Sequence, residues 1–414
     1  MSADTNPIAT PEQHEVELRA LRLMEHPIVR KAKEEVREHW LKAVSPNEEL
    51  RARFDDSFEE VMFSAAVWSL NQDPQYPKVV TITRLPHTVG DLKIPGSRYG
   101  IDNPDSIYRV IPIDGNERYV IRGRVAEKRL VENYFTLWDK NMNTVDVLSG
   151  HDLVLGPDRS FTITVDSEPA NGRPNHIRSS PKAHEFYIRD VILDWANDRP
   201  NTLSIEKLGP PRRPPLTEEE QARLTAQYMR NFVDNTIRWN DQALRKPPNS
   251  FAFTIDRDTD GALRNQVYIL GHFKLTDDEA LILDVNTGGA KYFIAPITNL
   301  WGVTNDIVNR TASLNKAQSA ANPDGTLTYV VSVKDPGVHN WLDPCDLHEG
   351  IITLRWAEFP SGRPSPDLSV KSRVVPLARL REELPEGTKF VTPEERRRQL
   401  EERARSYAWR LLDH

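Results

Sequence analysis

Apolar residues recur at helical intervals at the start of the chain. Over "HEVELRALRLMEHPIVRKAKEEVREHWLKAV" they are Val16, Ala20 and Leu23, then Val29, Val36 and Trp40, and His26-Pro27 breaks the run. "SFEEVMFSAAVWSLNQDP" predicts a further helix, apolar on Val61, Met62, Ala65, Ala66 and Leu70, that caps a β core. From Tyr76 the period falls to two. "KVVTITR", "SIYRVIPID", "RYVIRGRV", "FTITVDS", "HEFYIRDVILDW" and "TLSIEKLG" predict short strands parted by Gly, Pro, Asp or Asn. "LGPPRRPP" ends the block. A long helix then opens on a capping box, Thr217 to Glu220. A second set of strands follows: "SFAFTID", "QVYILGHFKL", "EALILDV", "AKYFIAPITNLWG", "LTYVVSV" and "GIITLRW". The last helix starts at the Thr392 to Glu395 capping box. Leu400, Ala404, Tyr407 and Leu411 form its apolar face, and its Arg/Glu-rich remainder is expected to be solvated.

These periods predict a mainly β chain with α additions: antiparallel β-sandwich or jelly-roll-like units with N-terminal, linker and C-terminal helices. The expected division is 1–75 helical, 76–210 β-rich, 211–249 linker and helix, 250–375 β-rich, and 376–414 a helical tail.

Composition adds exclusions. With 38% hydrophobic and 28% charged residues the chain is globular, and a net charge of −7 argues against a nucleic-acid partner. The single cysteine, Cys345, excludes an internal disulfide and a Cys-rich metal site, and no His pair has zinc-site spacing, so no metal is expected. The N-terminal stretch has neither an apolar signal core nor a basic start, and no run approaches the roughly 18 apolar residues of a membrane span. The expectation is a soluble, cytoplasmic protein with a small-molecule substrate and no membrane partner; a homo-oligomer is left open.

Familiar catalytic signatures are missing: no G-x-S-x-G, Walker loop, H-E-x-x-H or C-x-x-C. "NTGGAKY" reads as a hairpin turn rather than a phosphate cradle, and no cofactor is expected. "DRDTDG" places Asp256, Asp258 and Asp260 before Gly261 like the start of a calcium loop, but Val267 stands where that loop needs a bidentate Glu; a polar turn is the simpler reading.

The richest stretch is "KDPGVHNWLDPCDLHEGIITLRW", residues 334–356, with two of the 11 His, the only Cys and two of the 9 Trp. Asp335-Pro336-Gly337 is a turn and "GIITLRW" an exit strand. Asn340 to Asp343 reads as a structural clasp with a site at its rim. His339 and His348 titrate near neutrality, and Asp343 and Glu349 are carboxylates able to orient them, the minimum for acid–base work. Trp301, Asn305 and Arg310 of "NLWGVTNDIVNRTASLNKAQ", with Trp341, supply aromatic walls and polar anchors of the kind that line a pocket. His176 lies in a polar loop before a strand whose Arg189, Asp190 and Trp195 suit either a ligand or an ion-pair network.

The same stretches resemble bacterial proteins carrying the domain of unknown function numbered 1214, often paired with the one numbered 1254. "DPGVHNWLDP…EG…LRW" is similar to that family's terminal signature, "ALILDVNTGGAKYFIAPITNLW" to its preceding hairpin, and "HIRSSPKAHEFYIRDVILDW" with "TLSIEKLG" to its mid-chain segment. The resemblance implies a β-rich fold with helical additions and assigns no catalytic residue. The leading functional expectation is a small-molecule lyase, hydrolase or isomerase with a His/carboxylate site and no nucleotide cofactor. The alternative is a non-catalytic ligand-binding or assembly protein. Deep burial of Asn340, Trp341 and Asp343 with their polar atoms satisfied favours the alternative; a cleft shared by His339 and Arg310 favours the enzyme.

Overall fold

The structure, a computed structural model, describes residues 6–254 and 266–413. The calcium-loop candidates Asp256, Asp258 and Asp260 lie outside the described residues. Four helices lead: α1 (Pro11–Met24), α2 (Pro27–Val44), α3 (Glu48–Ala52) and α4 (Phe54–Ser69). The His26-Pro27 break is a helix-to-helix corner, with the His26 side chain accepting from the Ile28 N–H and Pro27 in the first turn of α2.

Then come β1 (Val80–Thr81), β2 (His87–Val89), β3 (Leu92–Ile94), β4 (Ser106–Pro112), β5 (Tyr119–Arg124), β6 (Glu132–Asp139), β7 (Thr144–Ser149), β8 (Ser160–Asp166), β9 (His176–Arg178), β10 (Ala183–Val191) and β11 (Thr202–Lys207). Helix α5 (Glu218–Leu244) carries the Thr217–Glu220 capping box. After it run β12 (Phe253–Thr254), β13 (Gln266–Lys274), β14 (Glu279–Asn286), β15 (Tyr292–Thr298), β16 (Ser313–Asn315), β17 (Leu327–Val331), β18 (Trp341–Leu342), β19 (Glu349–Ala357) and β20 (Ser369–Pro376). The chain closes with α6 (Leu380–Glu383), α7 (Pro393–Tyr407) and a 3₁₀ turn (Ala408–Leu411).

The strands make two sandwiches, as the period-two blocks predict. In the first, the sheet β1-β4-β10-β6-β7 faces the sheet β11-β5-β8-β9, with Ile111, Phe135, Phe186 and Ile188 meeting Ile121, Phe161, Ile163 and Val165. In the second, β12-β20-β14-β17-β18 faces β13-β19-β15-β16 across Leu283, Tyr329, Phe293, Leu354 and Trp356. Each such side chain contributes roughly 1.5–3 kcal/mol by leaving water. A third core lies under the helices, where Trp40, Phe54, Phe58, Met62, Met229, Val233 and Trp301 pack with Val110 of β4 and Ile351 of β19. Helix α5 is therefore tied along its length to α2, α4 and both sandwiches.

The pairing is antiparallel except at β8–β9 and β17–β18, which are parallel. In both cases the chain loops out and returns in the same direction before a short strand, which a two-residue hairpin cannot do. The pattern of apolar residues leaves out the short strands β2, β3, β9, β16 and β18 and the longer β6, β7 and β20. Strand β7 is an exposed edge, and β20 alternates with Lys371 and Arg373, so neither carries a clear apolar row. The C-terminal helix also differs from expectation: its buried side is Arg396, Arg403 and Tyr407, continued by Arg410, not a solvated Arg/Glu face. The arginines bury because carbonyls await them, at Val338 for Arg396, at Ile307 for Arg403 and at Pro104 (2.7 Å) for Arg410. Their sevenfold spacing, two helical turns, was a visible sign of one face.

Candidate functional site

The clasp forms where the chain leaves β17, turns at Asp335-Pro336-Gly337 and re-enters the sheet as β18. Gly337 adopts φ 70°, and its N–H donates to the Asp335 side chain at 2.9 Å. Asn340 donates to the carbonyls of Ala320 (2.8 Å) and Thr328 (3.0 Å) and accepts from the Ala320 N–H (2.8 Å). Trp341 donates its indole N–H to the Ser332 carbonyl at 3.0 Å, with the Arg396 guanidinium 5.2 Å over the ring. Asp343, 1% exposed, accepts from Arg310 Nε (2.6 Å) and Nη2 (2.8 Å) and from the Cys345 N–H (2.8 Å). Burial pushes its carboxyl above the usual range, and Arg310 offsets part of that. The guanidinium of Arg310 also grips Asp346 at 2.8 and 3.1 Å. This double grip fixes Cys345 and Asp346, two successive residues with φ near +60°. Asn305 donates to the Pro344 carbonyl at 2.9 Å. In this clasp Asn340, Trp341, Asp343, Arg310 and Asn305 all have partners within the protein.

The other sequence candidates are dispersed. His339 is half-buried and keeps its imidazole below the ordinary pKa, through burial first and then the nearby Lys389. His348 sits at the surface between Glu49 (Nδ1, 2.6 Å) and Asp277 (Nε2, 3.2 Å). Burial is the largest single influence and opposes the imidazolium, but the hydrogen bonds and charges of the two carboxylates together outweigh it and raise the pKa. Glu349 accepts from Asn47 at 3.0 Å. Trp301, 0% exposed, packs edge-on to Trp40 (5.4 Å) and Phe54 (4.6 Å) and donates to the Leu50 carbonyl at 2.8 Å. His176 is in the other sandwich, bonded to Thr164 Oγ1 (3.0 Å) and the Glu168 carbonyl (2.9 Å). Asp190 and Arg109 form a buried ion pair, and Trp195 donates to Asp105 at 2.6 Å, so that stretch is a structural network. The two residues named above for a shared cleft part ways: Arg310 is spent on the clasp aspartates and His339 lies against Arg396 and Lys389.

A different set of side chains converges between the sandwiches. Alternation turns Phe186 and Ile188 of β10 into the first core and leaves Glu185, Tyr187 and Arg189 on the outer face. The same rule puts Tyr108 of β4 and Tyr134 and Trp138 of β6 outward, and Tyr268 of β13 and Arg355 of β19 outward from the second sandwich. The two outer faces meet: Arg189 donates to the Tyr268 hydroxyl (3.1 Å), Gln266 to Glu132 (2.9 Å) and Tyr134 to Glu358 (2.7 Å). Helices α4 and α5 border this seam and add Trp68, Phe232 and Trp239.

The result is a row of rings. Tyr187 stacks between Trp138 (4.3 Å, 13°) and Trp68 (6.0 Å, 24°). Trp68 then meets Phe232 edge-on (5.5 Å), and Phe232 stacks on Tyr99 (3.6 Å, 5°), beside Trp239 (5.8 Å). Trp68, Tyr99, Trp138, Tyr187 and Trp239 are half-buried, so part of each residue remains exposed along the row. At one side Arg355 reaches the Ile101 carbonyl and, at 3.5 Å, the Tyr108 hydroxyl. Its Nε is buried with no hydrogen-bond partner, and no carboxylate among the described residues lies within 4 Å of it. Ile101 itself has φ 57°, a strained setting for a β-branched residue, held by Arg355 and by its own N–H to the Gly302 carbonyl at 2.9 Å. At the other side Glu185, 7% exposed, accepts only from Trp68 Nε1 (3.1 Å) and Gln72 Nε2 (2.9 Å). Burial raises its pKa, and no cation opposes that. A seam with stacked rings, a guanidinium that has no ion pair within 4 Å among the described residues and a buried carboxyl whose pKa is raised has the chemistry to take a flat anion. The sequence did carry the signal: outward positions of "SIYRV", "ENYFTLWD" and "EFYIRD" hold Tyr, Trp and Arg, where a solvated face usually holds Thr, Ser or Lys.

Among the described residues no group of three or more His, Cys, Asp or Glu is placed to hold a metal ion, and no helix is long and apolar enough to cross a membrane. No family model matches the chain, and no curated protein matches it. Among solved structures, an uncharacterized protein from Burkholderia cenocepacia superposes with a TM-score of 0.72 at 24% identity, over 87% of this chain and 99% of that one. The VPA0106 protein from Vibrio parahaemolyticus aligns at a TM-score of 0.41 and 12% identity, over 66% of this chain and 90% of that one. The first likeness is one of fold.

Proposed function

We propose that the protein binds a flat, anionic small molecule in the groove between its sandwiches, the ring on the Trp138–Tyr187–Trp68 row and the anionic group on Arg355. The observation that carries this reading is Arg355, a half-buried residue whose Nε is buried without a hydrogen-bond partner and which has no carboxylate within 4 Å among the described residues, beside a row of stacked, half-buried aromatic residues. A buried cation is costly unless paired, so an anionic ligand is its natural complement. The saturated clasp supports ligand binding over acid–base chemistry at His339. Kinship with proteins carrying the domain of unknown function 1214 belongs to the same proposal: residues 335–343, which carry much of that resemblance, build the clasp rather than the groove. A second reading keeps catalysis by a lyase, hydrolase or isomerase and moves it to Glu185, because that carboxyl is buried, lacks a cation and has a raised pKa.

The test is a tryptophan-fluorescence titration with 4-nitrobenzoate and 4-nitrophenyl phosphate, flat anions that quench indole emission, with 4-nitrobenzyl alcohol as the neutral control. Saturable quenching by at least one anion, weakened about 10–100-fold in Arg355→Met, is expected for loss of a charge-assisted contact. Equal binding of the neutral control, or an unchanged Arg355→Met, contradicts the reading.

A further inference from the structure

We infer that the protein holds a single small monoanion, of chloride size, in a second site near its two termini. A cavity of ≈ 20 Å³ is lined by Arg84, Arg98, Arg410, Asp102, Ser106 and Tyr407, with apolar Ile8, Ile107 and Ile307 around them. That volume suits one water-sized occupant and is too small for phosphate or sulfate. Three guanidiniums and one carboxylate line it.

Arg98 is committed: it binds Glu60 through Nε at 2.7 Å and the Thr304 carbonyl at 2.7 Å. Arg84 uses only Nη1, which donates to Glu17 at 2.7 Å, and Arg410 uses only Nη1, which donates to the Pro104 carbonyl at 2.7 Å. The Nε and Nη2 atoms of both are buried and make no well-aligned hydrogen bond among the described residues. Each of these arginines is 4% exposed. Asp102 makes no hydrogen bond to either of them; its oxygens accept from the Thr304 N–H (3.0 Å) and hydroxyl (2.7 Å). Tyr407 lies under the Arg410 guanidinium at 4.6 Å, and its hydroxyl makes no well-aligned hydrogen bond with Nε or Nη2.

Arg84 and Arg410, which both line this one small cavity, therefore bury four donor nitrogens between them without a well-aligned acceptor. A water has two lone pairs and no charge, so it satisfies at most two of them. A halide accepts from all sides and gives a direct ionic partner to Arg410, which forms no ion pair within 4 Å among the described residues. Bound there, it ties the loop of Arg84 to the 3₁₀ turn of Arg410, 326 residues apart in sequence (410 minus 84).

Two measurements test this on the full chain. Thermal melts at constant ionic strength should rise saturably as gluconate is replaced by chloride or bromide, and phosphate should give no such rise. At ten times Kd the folded-to-unfolded ratio gains about 11-fold. Arg410→Met should lose that response. Crystals soaked in bromide should show an anomalous peak between Arg84 and Arg410, which decides the matter even where Arg410→Met does not fold. The same halide response in Arg410→Met, or bromide crystals without a peak in this cavity, overturns the inference.

Discussion

In the clasp, Asp343 meets the two arms of one guanidinium and a backbone N–H, and Asn340 fills three hydrogen bonds with main chain alone. In the seam between the sandwiches, Arg355 buries an idle Nε and Glu185 buries a carboxyl with neutral donors only. Both regions are built from Arg, Asp or Glu, and Trp. The difference is saturation. A polar side chain whose bonds are all made inside the protein stabilises it and has nothing left for a ligand, whereas one buried with capacity to spare costs stability that only a ligand recovers. Residue type alone does not separate the two cases.

The comparison is sharpened first by emptying an aromatic site on the structural side. Trp301→Ala should lower stability by about 3–5 kcal/mol in denaturant unfolding, as removal of a fully buried ring does. Trp138→Ala, taking a half-buried ring from the groove, should cost under about 1.5 kcal/mol and remove most of the ligand-induced quenching. Next, Arg310→Met strands the buried Asp343 carboxylate and should cost about 3 kcal/mol.

A smaller effect tests the carboxyl of the groove. The folded pKa of Glu185 is raised, so the fold prefers it protonated. That contribution is fully present below the unfolded pKa of about 4.5 and is lost as pH rises through the folded value. Glu185→Gln, neutral throughout, should therefore be more stable than wild type at pH 8, by on the order of 1–2 kcal/mol. The two should converge near pH 4. Melts across pH 4–8 read this directly.

The smallest effect concerns His348, whose raised pKa reflects Glu49 and Asp277. Its ion pairs stabilise the fold below the unfolded pKa of about 6.5 and fade as pH rises through the folded value. Wild type should exceed His348→Gln by less than about 1 kcal/mol at pH 5.5 and match it at pH 9, because the pair is exposed.

The two sandwiches and their helical additions were legible because a period of two, interrupted by turn residues, has few other solutions. Capping boxes at Thr217 and Thr392 marked two helix starts that the structure retains. The clasp was legible as a folded loop because Asp-Pro-Gly and Asn-Trp-Leu-Asp have strong local preferences. What period could not reveal was where an outward row would end up. Tyr187 and Arg189 face away from their own core in either case; only the docking of a second sandwich against them makes a groove. The spacing of Arg396, Arg403 and Arg410 showed that they share a face, but their burial was hidden for a related reason, since their carbonyl partners at Val338, Ile307 and Pro104 are distant in sequence.

The most direct test pairs unfolding with binding in two variants, Arg310→Met and Arg355→Met, titrated with the nitro-aromatic anion that quenches wild type most strongly. The account predicts opposite outcomes: Arg310→Met loses about 3 kcal/mol of stability and keeps wild-type affinity, while Arg355→Met stays within about 1 kcal/mol of wild type and binds about 10–100-fold more weakly. Wild-type affinity in Arg355→Met together with lost binding in a stably folded Arg310→Met would place the site at the clasp and contradict the account.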